Sequence, residues 1–123
     1  MKKARLLVVD DEIFLVETLR DRLEFVGYDV LSAENGAEAL TKLQSNAVDL
    51  ILMDCMMPVM DGLQATQLIK GHDKLKKKPV IFLTARARKE DREEALRAGA
   101  DDYLPKPFEM DDLLKMIEKW LKK

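Results

Sequence analysis

The sequence predicts a doubly wound α/β fold, in which five parallel strands alternate with five helices. Apolar runs of strand length alternate along the 123 residues with segments in which apolar residues recur at helical spacing. Several of the runs are apolar at successive positions, which is typical of parallel strands covered on both faces. Because crossovers between parallel strands are right-handed, we expect helices on both faces of one sheet.

Five short segments carry the strand signal. They are Leu6–Val9, Tyr28–Ala33, Val48–Met53, Val80–Leu83 and Asp102–Leu104. Gly27 and Gly99 stand just before the second and fifth segments, where each is expected to end the preceding helix. Pro79 bounds the fourth segment.

Apolar faces and capping residues predict the helices. The faces comprise Val16, Leu19, Leu23 and Val26 in the first helix, Leu40 and Leu43 in the second, Ala65, Leu68 and Ile69 in the third, and Leu113, Ile117, Trp120 and Leu121 in the last. Asn35 is a favoured N-cap for the second helix, with Glu38 placed to complete a capping box. Asp61 opens the third helix, and a charged fourth helix runs from Lys89 to Arg97.

Length and composition predict a single domain, residues 1–123 with no output domain, in a cytoplasmic protein. The net charge of −2 offers no footprint for nucleic acid or an anionic membrane, so the lysine-rich loop Lys70–Lys78 is expected to be solvated. The one cysteine, Cys55, excludes an internal disulfide and fits a reducing compartment. No apolar run approaches the roughly 18 residues of a membrane span. Only four apolar residues separate the basic segment Met1–Arg5 from Asp10, too few for a secretion signal.

Side chains that carry chemistry collect at the carboxyl ends of the predicted strands. Asp10 and Asp11 follow the first strand, Asp54 the third, Thr84 the fourth and Lys106 the fifth. In doubly wound sheets ligands bind at this edge, so we expect these residues to lie together. Singly, each has an ordinary explanation: helix or turn capping for the three aspartates, a strand end for Thr84 and a surface charge for Lys106. Three adjacent carboxylates repel one another, however, and a purely structural edge would tend to avoid them.

A divalent cation would relieve this repulsion. Mg²⁺ prefers oxygen ligands, typically one or two carboxylates together with waters and phosphate oxygens. Asp54 and one of Asp10 or Asp11 can hold such an ion, while the other carboxylate orients its water. Asp54 can then attack phosphorus, with Lys106 and Thr84 binding the remaining phosphoryl oxygens. Together the five residues predict phosphorylation of Asp54.

Over its whole length the chain resembles the receiver domain of two-component response regulators, in the CheY-like superfamily. The motifs that carry the resemblance are VVDDE at 8–12, DLILMDCMMPVMDG at 49–62, VIFLTA at 80–85 and GADDYLPKPF at 99–108. The resemblance implies a flavodoxin-like (βα)5 fold with strand order 2-1-3-4-5. It also implies a signalling switch, not an enzyme, which takes a phosphoryl group from a sensor histidine kinase or a phosphotransfer protein.

By position, the resemblance assigns the site residues. Asp54 becomes the phosphoacceptor, and Asp10 and Asp11 become the acidic pair around Mg²⁺ or Mn²⁺. The backbone carbonyl of Met56 becomes a further metal ligand, and Lys106 becomes the phosphate-binding lysine.

The resemblance further implies a conformational readout. Thr84 becomes the switch hydroxyl, and Tyr103 becomes an aromatic switch residue that turns inward on phosphorylation. A downstream protein would then bind the changed face of helix four, strand five and helix five. The Lys106–Pro107 peptide bond is implied to be cis.

Dimerisation through that same face is an open point, so a monomer or a phosphorylation-dependent dimer is expected. Arg92 and Asp112 match one charged pair that is common among receivers. Met116 stands where an arginine would be expected as the partner of Asp102.

Two residues beside the site are candidates for tuning it. Met56 and Arg86 stand two positions after Asp54 and Thr84, where the family varies. We hypothesise that apolar Met56 cannot orient an attacking water, so that the phosphoryl group persists; simple packing of Met56 is the alternative. Other residues of interest are expected to be structural, namely Met53, Met57 and Met60 as filling, Cys55 as a buried apolar residue and His72 as an exposed one.

Three other functions have weaker support. A haloacid-dehalogenase-type phosphatase would need a second aspartate where this chain has Met56. A phosphorylation-independent receiver-like module would usually lack part of the acidic pair, the phosphoacceptor or the lysine, and all are present. A flavin carrier would need a phosphate-binding loop after the first strand, where Asp10, Asp11 and Glu12 would repel phosphate.

Overall fold

The computed structural model describes residues 3–122, so the predictions that fall on Met1, Lys2 and Lys123 lie outside the described residues. Strands and helices alternate along the whole of this range. The elements are β1 Arg5–Val9, α1 Ile13–Phe25, β2 Asp29–Ala33, α2 Gly36–Ser45, β3 Leu50–Met53, α3 Gly62–Lys70, β4 Val80–Thr84, α4 Lys89–Ala98, β5 Asp102–Pro105 and α5 Met110–Leu121.

The five strands form one parallel sheet in the order β2-β1-β3-β4-β5, which confirms the predicted fold and topology. The strand order reverses between β1 and β3, whose register pairs Val9 with Met53. The residues that follow, Asp10 and Asp54, are therefore neighbours across the sheet. The backbone N–H of Asp54 donates to the carbonyl of Val9 at 2.9 Å, which extends the ladder as far as Asp54.

The sheet is covered on both faces because its strands alternate side chains between two separate cores. Leu7 and Val9 of β1 belong to the core that also contains Met53 and Phe82. Leu6 and Val8 point into the other core, formed with α1 and α5. The central strands β3 and β4 are buried along their whole length, which explains their continuous apolar sequence.

Helix boundaries follow the predicted capping residues. The side chains of Asn35 and Asp61 accept hydrogen bonds from the third residue of α2 and α3 respectively, each at 2.9 Å. The capping box is only half formed, because the Glu38 carboxylate accepts from the N–H of Glu34 instead of Asn35. Gly99 ends α4 in the left-handed region at φ 112°, and Gly27 follows α1 at φ 107°.

Two predicted core residues are exposed. Val26, placed on the buried face of α1, is 51% exposed because the helix ends at Phe25 and the chain turns away. Leu68 is 50% exposed because the buried stripe of α3 runs through Gly62, Ala65, Thr66 and Ile69. Leu68 lies beside that stripe, at the solvent edge of the helix.

Candidate functional site

The predicted edge residues converge at the carboxyl ends of β1, β3 and β4. Carboxylate oxygens of Asp10, Asp11 and Asp54 all lie within 4.8 Å of one another. Asp10 and Asp54 are buried, whereas Asp11 faces solvent. The geometry therefore offers two fixed inner carboxylates and one outer carboxylate that solvent can reach.

Capping does not account for these aspartates. Asp10 Oδ1 accepts from the N–H of Glu12 at 2.9 Å, but α1 begins only at Ile13 and its N-cap residue makes no side-chain capping bond. Asp54 Oδ1 accepts only from its neighbour Cys55 at 2.9 Å, and the next helix begins eight residues later, at Gly62. Neither Asp10 nor Asp54 caps the helix that follows it, although Asp10 closes the turn before α1. That the carboxylates serve a site stays a prediction.

Lys106 is drawn into the acidic cluster from the loop after β5. Its Nζ lies 2.7 Å from Asp10 Oδ2 and 3.8 Å from Asp54 Oδ1. A third carboxylate, Glu12, approaches Lys106 Nζ at 3.3 Å. Burial alone would lower the pKa of Lys106, but the hydrogen bond to Asp10 and the surrounding negative charges raise it above its usual value. Lys106 is therefore a cation throughout the physiological range.

Glu12 was missed as a site residue. The VVDDE motif contains it, but a side chain three residues past a strand has no fixed direction in sequence terms. Its side chain is 65% exposed, so its attraction for Lys106 is screened and weaker than that of Asp10.

Asp54 stands in an environment that disfavours its charge. Burial raises its pKa from 3.8 to about 6, and the charge of Asp10 adds to the rise. Lys106 and the N–H of Cys55 act in the opposite direction but do not cancel it. The ionised form of Asp54 is thus disfavoured at this edge of the sheet. A cation that binds beside Asp54 would stabilise that form.

The loop between β3 and α3 packs α3 directly against the backbone of Asp54. A Cβ atom placed on Gly62 would lie 2.1 Å from the backbone oxygen of Asp54, so only glycine fits there. The N–H of Gly62 donates to the carbonyl of Cys55 at 2.9 Å, which closes the loop. Val59 at the tip of the loop has φ 69° and is 84% exposed. Sequence indicated the turn through Asp61 and Gly62, but not this contact.

The two predicted switch residues are both buried. Thr84 is 2% exposed, and its Oγ1 accepts from the N–H of Arg86 at 3.2 Å. Tyr103 is 8% exposed, so its ring is already turned inward in this structure. Its hydroxyl is buried and has no hydrogen-bond partner within residues 3–122.

Arg86 connects the site to the start of α4. Its guanidinium lies near the Cys55 thiol, whose pKa it acts to lower, and 3.8 Å from Asp91, a buried carboxylate. Arg88 holds the same carboxylate at 3.1 Å. Arg86, two positions after Thr84, therefore lies between the β3–α3 loop and helix α4. This position is distinct from any effect of Arg86 on water access.

The remaining predicted residues fall where expected, with one exception. Met53 is fully buried and Met57 and Met60 pack against the core, Cys55 is buried, His72 is exposed and the Lys106–Pro107 peptide bond is cis. Met56 is 59% exposed, so the alternative that it simply packs is wrong. Asp102, considered for pairing between chains, accepts from Trp120 Nε1 at 2.8 Å within the same chain.

The donor set suits a hard divalent cation. Carboxylate oxygens are the ligands that Mg²⁺ prefers, and these three lie close enough to share one ion. Burial and the charge of Asp10 raise the pKa of Asp54 despite the nearby Lys106, so one ammonium group does not neutralise the three carboxylates. Asp10, Asp11 and Asp54 therefore fit a magnesium site whose outer side stays open to water and phosphate.

A family model for the response regulator receiver domain matches residues 6–118. The chain belongs to the receiver domain family. Response regulator MprA of Mycobacterium tuberculosis is 43% identical over 120 residues, which cover 97% of this chain and 51% of that protein. The receiver thus spans about half the length of the curated relatives it matches. Receivers of this family act as signalling switches in two-component systems.

Solved receivers share the whole fold. The receiver domain of the sensor histidine kinase PA1611 from Pseudomonas aeruginosa superposes with a TM-score of 0.92 at 34% identity, covering 99% of this chain and 100% of that chain. That structure holds a magnesium ion coordinated in its active site cleft. The chemotaxis protein CheY4 of Vibrio cholerae gives a TM-score of 0.90 at 34% identity, with 96% and 98% covered. In this receiver, no described helix is long and apolar enough to span a membrane.

Proposed function

We propose that this receiver is a phosphorylation-activated switch whose phosphoacceptor is Asp54. The observation that carries the proposal is the juxtaposition of Asp54 with the acidic pair Asp10 and Asp11 on one side and Lys106 on the other. A nucleophilic carboxylate, a metal-binding pair and a fixed cation are what phosphoryl transfer to an aspartate requires.

In the proposed reaction a carboxylate oxygen of Asp54 attacks phosphorus of a phosphohistidine, and the bond from phosphorus to the imidazole nitrogen breaks. Mg²⁺ held by Asp10, Asp11, Asp54 and the Met56 carbonyl would supply charge neutralisation at the phosphoryl oxygens. Lys106 Nζ, 3.8 Å from Asp54, donates to a second oxygen as the negative charge moves onto the receiver. The Thr84 hydroxyl donates to a third oxygen.

The readout follows from contacts that the phosphoryl group would change. When Thr84 turns toward phosphate, its Oγ1 releases the N–H of Arg86, and the loop into α4 loses one of its bonds. Arg86 also forms an ion pair with Asp91 in the first turn of α4. A displacement of Arg86 would therefore move the start of that helix. The ring of Tyr103 lies on the neighbouring strand. We expect the face of α4, β5 and α5 to change and a downstream protein to bind it.

The partner upstream is a histidine kinase or a phosphotransfer protein, because the chain supplies the aspartate and not the phosphohistidine. Its one histidine, His72, is exposed in the loop after α3, at the end of the helix remote from Asp54. A dimer of the phosphorylated form would rest on Arg92 and Asp112, since Asp102 is engaged by Trp120.

Acetyl phosphate with Mg²⁺ tests the function directly. The intact mass should rise by one phosphoryl group, and chelation with EDTA or the change Asp54→Asn should abolish the rise. Asp61→Asn is a matched control in the same loop, because asparagine caps a helix as well as aspartate does. A wild-type chain that shows no Mg²⁺-dependent modification would favour a phosphorylation-independent binding module instead.

Phosphoryl lifetime is a separate property that we assign to Met56. Its exposed thioether can neither donate to nor accept strongly from a water, so attack on the aspartyl-phosphate is not assisted. Met56→Asn should shorten the half-life of the phosphorylated form, timed by intact mass after removal of the donor. Met57→Asn offers a control at the adjacent, partly buried position. An unchanged half-life in Met56→Asn would refute this role.

A further inference from the structure

A cavity of about 640 Å³ lies at the amino-terminal edge of the sheet, opposite Asp54. Four lysines, Lys3, Lys74, Lys77 and Lys78, line it, and we call it the lysine cavity. The residues just before β1, β3, β4 and β5 and the end of α5, including Trp120, form the rest of its wall. None of its lining residues takes part in the phosphorylation site.

The negative charges of the cavity are already neutralised or engaged. Asp101 Oδ2 accepts from Lys70 Nζ at 2.7 Å and from the N–H of Val80 at 2.8 Å. Asp49 Oδ2 accepts from the N–H of Arg5 at 2.7 Å. Asp101 is thus neutralised by Lys70, whereas Asp49 keeps its charge and offsets one of the four lysines.

None of the four lysines, in contrast, has a carboxylate partner within the described part of the chain. Lys78 Nζ donates to the carbonyl of Val48 at 2.6 Å, whereas Lys3, Lys74 and Lys77 form no ion pair there. The lysines do not serve the dipole of α3 either, because that helix ends at Lys70 and the effect fades within one turn. In a protein of net charge −2, this is a local concentration of positive charge.

The loop that carries these lysines is fixed and not merely solvated. Leu75 is 5% exposed and anchors it to the core, and Lys70 Nζ donates to the carbonyls of Lys76 and Lys78 at 3.3 and 2.9 Å. Backbone bonds from Leu75 and Lys76 to the carbonyl of His72 tighten the turn. The loop therefore offers Lys74, Lys77 and Lys78 on a fixed backbone, and a ligand would bind them at a low cost in loop ordering.

We propose that the lysine cavity binds a small phosphate-bearing anion. Lys3, Lys74 and Lys77 would supply charge-assisted hydrogen bonds to the phosphates. Pro79, Trp120 and Leu121 form an apolar wall that an organic group of the ligand, such as a nucleotide base, would contact. Inorganic polyphosphate and a nucleotide share the phosphate chemistry and differ only in the use of this wall.

Calorimetric titration of the whole chain with ADP and, separately, with tripolyphosphate tests the proposal. EDTA is present throughout so that the acidic site at the other edge holds no metal. We expect saturable binding with a Kd below about 1 mM. Trp120, the only tryptophan, should change its emission along the same binding curve because it lines the cavity.

Matched variants locate the site. Lys74→Ala combined with Lys77→Ala should raise the Kd about tenfold or more, since two charge-assisted contacts are lost. Lys89→Ala combined with Lys115→Ala removes the same charge from two exposed lysines outside the cavity and should leave the Kd nearly unchanged. Circular dichroism confirms that each variant is folded.

Every outcome of these titrations bears on the proposal. Tighter binding of ADP than of tripolyphosphate supports a nucleotide that uses the Trp120 wall, and equal binding supports phosphate recognition alone. Absence of heat for both probes up to about 1 mM overturns the proposal. Equal weakening in the two double variants also overturns it, because the attraction would then reflect net charge and not this cavity.

Discussion

Lys106 Nζ lies 2.7 Å from Asp10 Oδ2, an ion pair that joins the loops after the first and last strands of the chain. Lys106 is thereby held at the metal side of the cluster, 3.8 Å from the carboxylate that would receive phosphate. In the metal-free receiver, Lys106 thus neutralises part of the carboxylate charge that a divalent ion would otherwise neutralise.

Replacement of this lysine should separate metal binding from phosphoryl transfer. In Lys106→Met the affinity for Mg²⁺ should rise, because the competing cation has gone, whereas phosphorylation by acetyl phosphate should slow about 100-fold, because one oxygen of the transferred group loses its donor. Calorimetric titration with Mg²⁺ and intact-mass kinetics measure the two effects. Lys115→Met, at an exposed position of α5, is the control. A transfer rate equal to wild type in Lys106→Met would contradict the role of Lys106.

The raised pKa of Asp54 makes the stability of the metal-free receiver depend on pH. An aspartate whose folded pKa is about 6, against 3.8 when unfolded, costs nothing while protonated and destabilises the fold as pH rises through that window. Asp54→Asn should therefore be more stable than wild type by about 1–3 kcal/mol above pH 6, with the gain fading toward pH 4. Urea unfolding in EDTA across this range measures it. A gain that does not vary with pH would mean that charge is not its cause.

Glycine is required at the start of α3. Gly62→Ala would press a methyl group into the backbone of Asp54, so the loop must move, with a loss of about 1–3 kcal/mol of stability and slower phosphorylation. Gly71→Ala at the other end of α3 is the matched control, since its nearest contact would be 3.3 Å and its φ is −88°. Thermal unfolding compares the two variants. Helix propensity alone would favour alanine at both positions, so equal losses would show that the contact with Asp54 does not decide the result.

Val59 stores backbone strain that a polar residue should relieve. A β-branched residue at φ 69° is rarely observed, and its side chain is 84% exposed, so little packing compensates. Val59→Asn should stabilise the receiver by about 0.5–1 kcal/mol, because asparagine tolerates the left-handed region. Val26→Asn, an exposed valine at φ −87°, serves as the control in the same denaturation assay. A similar gain in both would point to surface polarity as the cause.

Sequence reasoning located the site because strand ends are a one-dimensional signal. Asp10, Asp54 and Thr84 each follow an apolar run, and parallel topology brings such ends to one edge. Contacts made by loops were beyond this logic. The approach of Glu12 to Lys106 depends on a side-chain direction that no periodicity defines.

The exposure of helical residues was predicted less well than the strands. Leu68 satisfies the apolar spacing of α3 but faces solvent, because the stripe that meets the sheet is narrow and is shared with Thr66. The lysine cavity was likewise hidden, since its lysines were expected to be solvated as a charge run. The structure shows instead that Leu75 and Lys70 fix the loop. They do so through contacts with residues distant in sequence or with backbone carbonyls, which a pattern of residue types does not reveal.

The buried thiol of Cys55, beside Asp54, has a practical consequence. Cys55 is 6% exposed, and burial raises its pKa, so a thiol-specific reagent reaches it only when the β3–α3 loop opens. The rate at which Cys55 is labelled therefore measures how often that loop opens. Because the sequence has one cysteine, the reagent reports on this loop alone. Labelling with and without Mg²⁺ would then compare how often the β3–α3 loop opens in the two conditions.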